Sequence, residues 1–273
     1  MKINFFNSKL FILITLLNIY YLEEEIDFTD NSYYYEEKYF RILANNYETI
    51  DSGNMWKGDE DGYGFIAKKD FGSLILLKDW SMYNFKLTKI MLRNQCLFNY
   101  QDIDCAAEMW LIHTKDNGYY PPGRRIFMKQ NYFTIVVPFV EAKNGNPAVD
   151  SIFEYLNLKE YVSKMEKVSP KKPVKLYQII QNQPSFLFEG TYNKKDTLFM
   201  VFSQYHFISQ DDLDNLNKLN FTNVKTDTII EDDSKIYRNV RNTEEVKPKV
   251  TLMSYSNSKY LENLLFFIII FLL

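Results

Sequence analysis

Short runs rich in β-branched and aromatic residues, separated by clusters of turn-forming residues, dominate the middle of the chain. The clearest runs are Phe85–Leu92, Ala107–His113, Tyr132–Val140 and Thr197–Ser203. The clusters between them include Asp116–Gly118, Pro121–Gly123 and Lys143–Pro147. Such runs fit the pleated, half-buried surface of a β-strand, and such clusters end strands in turns. The pattern predicts a mainly β structure.

Two segments instead carry apolar residues at helical spacing, Ala148–Leu156 and Gln210–Leu219. The apolar positions are Val149, Ile152, Phe153 and Leu156 in the first segment, and Leu213, Leu216 and Leu219 in the second. Residues three and four apart share one face of a helix, so we expect two short helices beside the strands. The net charge of -3 and the lack of a basic run with interleaved aromatics argue against a nucleic-acid partner.

The N-terminus has the form of a secretory signal. Lys2 precedes the apolar run Leu10–Ile19, and the acidic Glu23–Glu25 follows it. An apolar run of this length is too short to span a bilayer, which needs roughly 20 residues. We assign residues 1–21 to a signal peptide, with cleavage between Asn18 and Tyr21. The alternatives are a retained anchor and the hydrophobic first helix of a cytosolic domain.

The C-terminus is also apolar, from Leu264 to Leu273. The small residues Ser256, Asn257 and Ser258 and a short polar spacer precede this run. This arrangement is typical of the signal that is removed when a glycosylphosphatidylinositol (GPI) anchor is attached. We therefore assign residues 251–273 to this signal and residues 28–250 to a single domain. The alternatives are a tail anchor and a buried final strand.

Both terminal signals predict passage through the secretory pathway and display at the cell surface or outside the cell. The chain has two cysteines, Cys96 and Cys105, so it can form at most one intrachain disulfide bond. Asn220 begins an Asn-Phe-Thr triplet, which is a candidate N-glycosylation site. A lipid anchor would make the membrane a partner of this protein.

Several separated segments, in the same order, resemble segments of the α-carbonic anhydrases. They are Phe40–Asn46, Ala106–His113, Phe133–Val140 with the following Asn146-Pro147 and helix, Phe188–Gly190, and Ile208–Leu213. The resemblance covers about residues 38 to 250. It implies one α+β domain, mainly β with a few short helices, around a large, mostly antiparallel, twisted central sheet.

The resemblance also locates the zinc site of that family, in which three histidines hold the ion and a bound hydroxide attacks carbon dioxide. The three ligand positions fall on Met91, Arg93 and Trp110. The whole chain contains only two histidines, His113 and His206. A three-histidine site cannot be built from them in any alignment, so we expect no cofactor. The alternative is a carbonic anhydrase with an atypical zinc site that uses acidic ligands.

Other catalytic positions of the family are changed as well. Glu108 matches the carboxylate that orients a zinc-bound histidine, and here it could accept from the Trp110 indole or pair with Arg93. Tyr47 lies near the position of the family's proton-shuttle histidine, and a phenol with a pKa of about 10 relays protons poorly at neutral pH. Asn193 is the nearest match to the threonine that orients the zinc-bound hydroxide.

The family pairs the strands that contain Phe85–Leu92 and Ala107–His113 antiparallel. Cys96 and Cys105 lie at the inner ends of these two strands, so the resemblance makes a disulfide bond across the connecting hairpin plausible.

Three functions remain open. The first is a catalytically silent binding or adhesion module at the cell surface, whose ligand is an unknown protein or carbohydrate. The second is an atypical secreted carbonic anhydrase. The third is a structural role in a surface assembly, for which the aromatic residues between Tyr33 and Tyr39 are the only hint.

Overall fold

β-Strands make up most of the described chain, as the runs of β-branched and aromatic residues predict. The structure is a computed structural model, which describes residues 26–27, 32–34, 40–47, 53–58, 62–66, 71–78, 81–100, 103–116, 129–156, 166–168, 175–180, 184–218, 229–230, 236–239 and 250–252. In chain order the strands are β1 (Ile26–Asp27), β2 (Ser32–Tyr34), β3 (Phe40–Tyr47), β4 (Gly53–Gly58), β5 (Gly62–Ile66), β6 (Gly72–Lys78), β7 (Ser81–Arg93), β8 (Phe98–Tyr100), β9 (Cys105–Lys115), β10 (Tyr132–Ala142), β11 (Glu166–Val168), β12 (Ser185–Tyr192), β13 (Lys195–Phe202), β14 (His206–Ser209), β15 (Ile229–Ile230), β16 (Ile236–Asn239) and β17 (Val250–Leu252). The helices are α1 (Pro147–Leu156) and α2 (Gln210–Asn217), and a 3₁₀ turn spans Leu176–Gln178.

Fourteen of these strands form one curled sheet. Its main path runs β11-β4-β5-β7-β9-β10-β13-β12-β16-β2, with β3 and β6 joined through β7, β14 beside β10, and β15 beside β12. The pairs β10–β13, β10–β14 and β16–β2 are parallel and the other described pairs are antiparallel. The predicted fold class, mainly β around a mostly antiparallel sheet, is therefore confirmed. The short strands β1, β17 and β8 form a second sheet, whose ends at Ile26 and Leu252 lie just outside the predicted domain of residues 28–250.

Strand β9 lies in the middle of the sheet, between β7 and β10. Its side chains alternate between two buried layers, because successive residues of a strand point to opposite faces. Met109 and Leu111 belong to a large hydrophobic layer, here called the main core. Trp110 and Ile112 face the other way and belong to a second layer, the Trp110 cluster. The position of a residue along β9 therefore determines whether its side chain packs in the main core or in the Trp110 cluster.

A β-bulge in β7 decides which of its residues meet Trp110. Phe85 and Leu87 face the main core, but the pairing with β9 shifts register at Thr88. The Thr88 hydroxyl donates to the carbonyl oxygen of Ile112, at 3.2 Å, which holds the extra residue against β9. A bulge of one residue reverses the alternation beyond it. Met91 consequently faces the Trp110 cluster instead of the main core.

Both predicted helices are present, and local hydrogen bonds explain where each begins. The side-chain oxygen of Asn146 accepts from the backbone N–H of Ala148, and Pro147 occupies the first position of α1, where a missing N–H costs nothing. The Ser209 side chain accepts from the backbone N–H of Asp212 at the start of α2. Helix α2 ends at Asn217, two residues before the end that the apolar spacing predicts.

Several sequence predictions fall outside the described residues. These are the signal peptide of residues 1–21, Asn220, and the attachment residues Ser256, Asn257 and Ser258. They stay predictions. Neither described helix has the length and hydrophobicity to cross a bilayer.

Candidate functional site

The three positions that the resemblance assigns to zinc ligands lie together in the structure. Met91 of β7 and Trp110 of β9 are direct cross-strand partners, and Arg93 is the partner of Glu108 two residues along. The guanidinium carbon of Arg93 lies 4.8 Å from the centre of the Trp110 ring, within the range of a cation–π interaction. Met91 and Trp110 are fully buried, and Arg93 is 2% exposed.

Trp110 occupies the centre of a layer of apolar and aromatic side chains. The Trp110 cluster comprises Met91, Cys96, Leu97, Phe98, Tyr100, Trp110, Ile112, Val136, Phe186, Phe188, Tyr192, Phe199 and Val201. The indole ring centre lies 5.7 Å from that of Tyr192, 6.0 Å from Phe199 and 6.5 Å from Phe98. These separations and tilted orientations are those at which aromatic side chains attract one another. The space around Trp110 is thus filled by packed hydrophobic side chains.

Met91 also has a defined role in this packing. Its thioether sulfur accepts a hydrogen bond from the Tyr192 hydroxyl, at 3.7 Å. A thioether is a weak hydrogen-bond acceptor and a soft ligand that suits copper(I) better than zinc. The contact shows that Met91 joins β7 to β12 across the cluster.

Glu108 is a fully buried carboxylate surrounded by donors. One oxygen, Oε2, accepts from the Trp110 indole N–H at 2.9 Å. The other, Oε1, accepts from the backbone N–H of Phe98 at 3.1 Å and from the Tyr100 hydroxyl at 3.3 Å. The indole bond is one of the two interactions that the sequence leaves open for Glu108. The second, with Arg93, is present as an attraction between charges.

Burial and neighbouring charges act in opposite directions on Glu108. Burial raises the pKa of this carboxyl above its ordinary value, while the Arg93 charge and the hydrogen bonds from Trp110 and Phe98 lower it. The net direction is upward. The pKa of Tyr100 is raised well above its usual value, first by burial and then by the charge and hydrogen bond of Glu108. The Tyr100 hydroxyl, the Trp110 indole N–H and the Glu108 carboxylate are therefore buried together and hydrogen-bonded to one another.

These side chains do not fit the zinc site of the carbonic anhydrases. That site needs three neutral imidazoles converging on the ion, whereas the positions that the resemblance assigns to the ligands offer a thioether, a guanidinium and an indole. A guanidinium repels a cation, and an indole N–H has no lone pair to give. Neither histidine of the chain replaces them, because His113 faces the main core and His206 lies beside Asn146, at the start of α1.

Tyr47 and Asn193 are not brought to this site. The Tyr47 hydroxyl lies in the main core, 2.8 Å from Nε2 of His113, on the face of the sheet opposite Trp110. Asn193 and Lys194 form the exposed two-residue turn between β12 and β13, with φ angles of 49° and 61°. Positive φ at both residues is typical of the type I′ turn that joins tight hairpins.

The His113 ring has one possible protonation pattern when neutral. Its Nδ1 faces the carbonyl oxygen of Phe133 at 3.0 Å, so Nδ1 carries the hydrogen and Nε2 accepts from Tyr47. Burial lowers the pKa of His113 from 6.5 to about 3. A buried tyrosine–histidine pair of this kind is a structural element that requires the neutral imidazole.

We predict that His113 contributes to the loss of stability in acid. Its contribution is complete above the unfolded pKa of 6.5 and is lost as the pH falls toward about 3, because the unfolded chain binds the proton and the folded chain does not. Urea unfolding between pH 8 and pH 4 would measure this dependence. Replacing both partners, Tyr47→Phe with His113→Phe, should flatten it below pH 6.5. An unchanged pH profile in the double variant would contradict the assignment.

Cys96 and Cys105 form a disulfide bond, with their Cα atoms 6.2 Å apart. The bond joins the segment that leaves β7 to the first residue of β9, as the resemblance implies. It lies at the edge of the Trp110 cluster, where Cys96 is buried and Cys105 is partly exposed. Closing so short a loop stabilises the fold by roughly 2.5–3 kcal/mol on the chain-entropy estimate.

The protein has the α-carbonic-anhydrase fold. The structure is similar to the α-carbonic anhydrase of Thermovibrio ammonificans, solved with the inhibitor sulfanilamide, with a TM-score of 0.56 and 11% sequence identity over 77% of this chain and 83% of that chain. It is also similar to the α-carbonic anhydrase of Photobacterium profundum, with a TM-score of 0.53 and 14% identity over 76% of this chain and 85% of that chain. No protein-family model and no curated protein matches the sequence. Identities this low show the fold alone.

Proposed function

We propose that this protein is a carbonic-anhydrase-like protein that does not hydrate carbon dioxide and acts as a binding module at the cell surface. The observation that supports the absence of hydration is Trp110, which is fully buried among aromatic rings. The resemblance assigns this position to a zinc-binding histidine. Hydration requires a zinc-bound water whose pKa is lowered to about 7. The side chains at the three ligand positions cannot supply this chemistry.

The terminal segments support the second half of the proposal. A signal peptide at residues 1–21 and a GPI-attachment signal at residues 251–273 would leave the whole domain on the outer leaflet. Recognition of a ligand requires no catalytic residue. The large sheet offers a rigid surface on which a ligand can bind. The role is therefore adhesion or ligand binding, with a protein or a carbohydrate as partner.

An exposed aromatic pair supports recognition by one end of the sheet. Tyr205 and Phe207 flank His206 at β14 and are 42% and 46% exposed. Their ring centres are 5.4 Å apart and the rings are nearly perpendicular. Exposed aromatic rings are enriched where proteins bind partners, because they bury a large area at a small entropic cost.

One experiment tests display and binding in sequence. Intact cells that produce the protein are treated with a phosphatidylinositol-specific phospholipase, which should release the protein into the medium. The released protein is then used to capture partners from solubilised membranes and to probe immobilised glycans. The variant Tyr205→Ser with Phe207→Ser should lose most of this binding. The control variant Lys129→Ser, which lies just before the opposite end of β10, should keep it.

Failure at either stage is informative. Retention on cells, under conditions that free a known anchored control, would contradict the lipid anchor. Release followed by equal binding of the wild type and the double variant would show that Tyr205 and Phe207 do not form the recognition surface. Carbon dioxide hydration by the released protein would contradict the proposal as a whole.

A further inference from the structure

A group of potential metal ligands lies at the edge of the Trp110 cluster. The sulfur atoms of Cys96 and Cys105 and a carboxylate oxygen of Glu108 all lie within 4.8 Å of one another. Glu108 and Cys96 are buried, and Cys105 is partly exposed. None of these three residues is at a position that the resemblance assigns to a zinc ligand.

The disulfide bond determines whether these residues can bind a cation. While the sulfurs are bonded to each other they are poor ligands, because metals bind the thiolate. Reduction frees two thiols beside a carboxylate, and zinc binds thiolates at about 2.3 Å and carboxylate oxygens at about 2.0–2.2 Å in tetrahedral sites. Ligand atoms around such an ion are roughly 3.5–4 Å apart. The three residues therefore need only small movements to converge.

The charge balance of the site also suits a divalent cation. Two thiolates and the Glu108 carboxylate carry three negative charges. The Arg93 guanidinium, which acts electrostatically on Glu108, supplies one positive charge, and a divalent cation supplies the other two. Buried charges are tolerated when they are compensated locally, so the metal-bound state would be neutral as a whole.

The geometry points to a redox-gated site for a thiophilic divalent cation, formed by Cys96, Cys105 and Glu108 when the disulfide bond is reduced. A phosphine reductant gives two electrons to the disulfide and takes an oxygen atom from water as phosphine oxide. The two protons of that water remain on the cysteine thiols. The cation then displaces one proton from each thiol to solvent. In the oxidised protein the two sulfurs are bonded to each other and the site does not bind the cation. The inference concerns the reduced protein and does not depend on the proposed surface function.

Cobalt(II) alone is a suitable probe, because thiolate ligands give it a strong near-ultraviolet charge-transfer absorption. The whole protein is reduced with a water-soluble phosphine under nitrogen, freed of reductant and titrated with Co²⁺. We expect saturation at one ion per chain, release of two protons per ion, and no such absorption in the unreduced protein. Cys96→Ser should abolish the absorption.

Two further variants distinguish a site formed by all three residues from metal binding by the two cysteines alone. Glu108→Gln keeps the side-chain shape, and it should weaken Co²⁺ binding by at least the roughly 10–100-fold that loss of a group supporting a metal ligand costs. Asp104→Asn removes an exposed carboxylate next to Cys105 and should leave binding unchanged. X-ray absorption of the wild-type complex should show two sulfur ligands and at least one oxygen ligand, with the oxygen contribution reduced in Glu108→Gln.

Several results would overturn the inference. One is the absence of charge-transfer absorption in reduced wild-type protein that near-ultraviolet circular dichroism shows to be folded. Another is equal affinity of Glu108→Gln and the wild type, or equal weakening by Asp104→Asn. A reduced chain that unfolds and does not regain its structure when Co²⁺ is added would contradict it as well.

Discussion

Replacing Trp110 with alanine should lower the free energy of unfolding by about 3–5 kcal/mol, as expected when a large aromatic side chain is removed from a packed interior. The indole is fully buried and contacts the rings of Phe98, Tyr192 and Phe199. Its loss would leave a cavity in the Trp110 cluster and remove the hydrogen bond to Glu108. Because domains are typically stable by about 5–15 kcal/mol, this change should be visible as a large shift of the urea midpoint.

Two variants test whether the loss comes from packing. Trp110→Phe keeps an aromatic ring but removes the indole N–H, and it should cost only about 1–3 kcal/mol, the range for an unsatisfied buried acceptor. Phe207→Ala removes an exposed ring and should change stability by less than about 0.5 kcal/mol. A Trp110→Ala protein as stable as the Phe207→Ala protein would contradict the packed cluster.

Replacing Glu108 with leucine should destabilise the protein by about 3–5 kcal/mol, the usual cost of removing one partner of a buried charge pair. Arg93 would keep its charge in a place that is 2% exposed. The backbone N–H of Phe98 and the hydroxyl of Tyr100 would also lose their acceptor. Urea unfolding at neutral pH measures this loss.

A double-mutant cycle separates the charge from the hydrogen bonds. Arg93→Met should itself be destabilising, but Arg93→Met with Glu108→Leu should lose less than the sum of the two single changes. We expect a coupling of about 0.5–3 kcal/mol, the range for residues in direct interaction. Strict additivity would show that Arg93 and Glu108 do not stabilise one another.

The centre of the sheet could be predicted from the sequence because its signals are local. The run Ala107–His113 is mostly apolar and contains Trp110 and Ile112, which is enough to indicate a strand by itself, and the structure extends it only to Cys105 and Lys115. The resemblance then places Met91, Arg93 and Trp110 at matching positions. Their proximity follows from the antiparallel pairing of two predicted strands.

The position of Tyr47 could not be predicted in this way. A bulge between Ile42 and Ala44 reverses the alternation of β3, so that Ile42 and Tyr47 face the same main core despite their odd separation. Nothing in the local sequence marks this bulge, and the partner of Tyr47, His113, is 66 residues away. The local sequence does not indicate the bulge at Thr88 in β7 either, although this bulge turns Met91 toward Trp110.

The hydrogen-bond donors around Glu108 could also be predicted only in part from the sequence. The indole of Trp110 is two residues away on the same strand face, so this hydrogen bond follows from strand alternation. The backbone N–H of Phe98 and the hydroxyl of Tyr100 come from β8, a three-residue strand of the second sheet. Only the path of the chain between β7 and β9 brings them there, and propensity does not determine that path.

We propose that this α-carbonic-anhydrase fold has no hydratase site. The most direct measurement is elemental analysis of the unreduced protein, purified from a secreting host supplied with zinc, together with carbon dioxide hydration by the same sample. We expect much less than one zinc per chain and a hydration rate equal to that of buffer, both before and after dialysis against zinc. One zinc per chain, with hydration that is removed by a chelator and restored by zinc, would contradict the account.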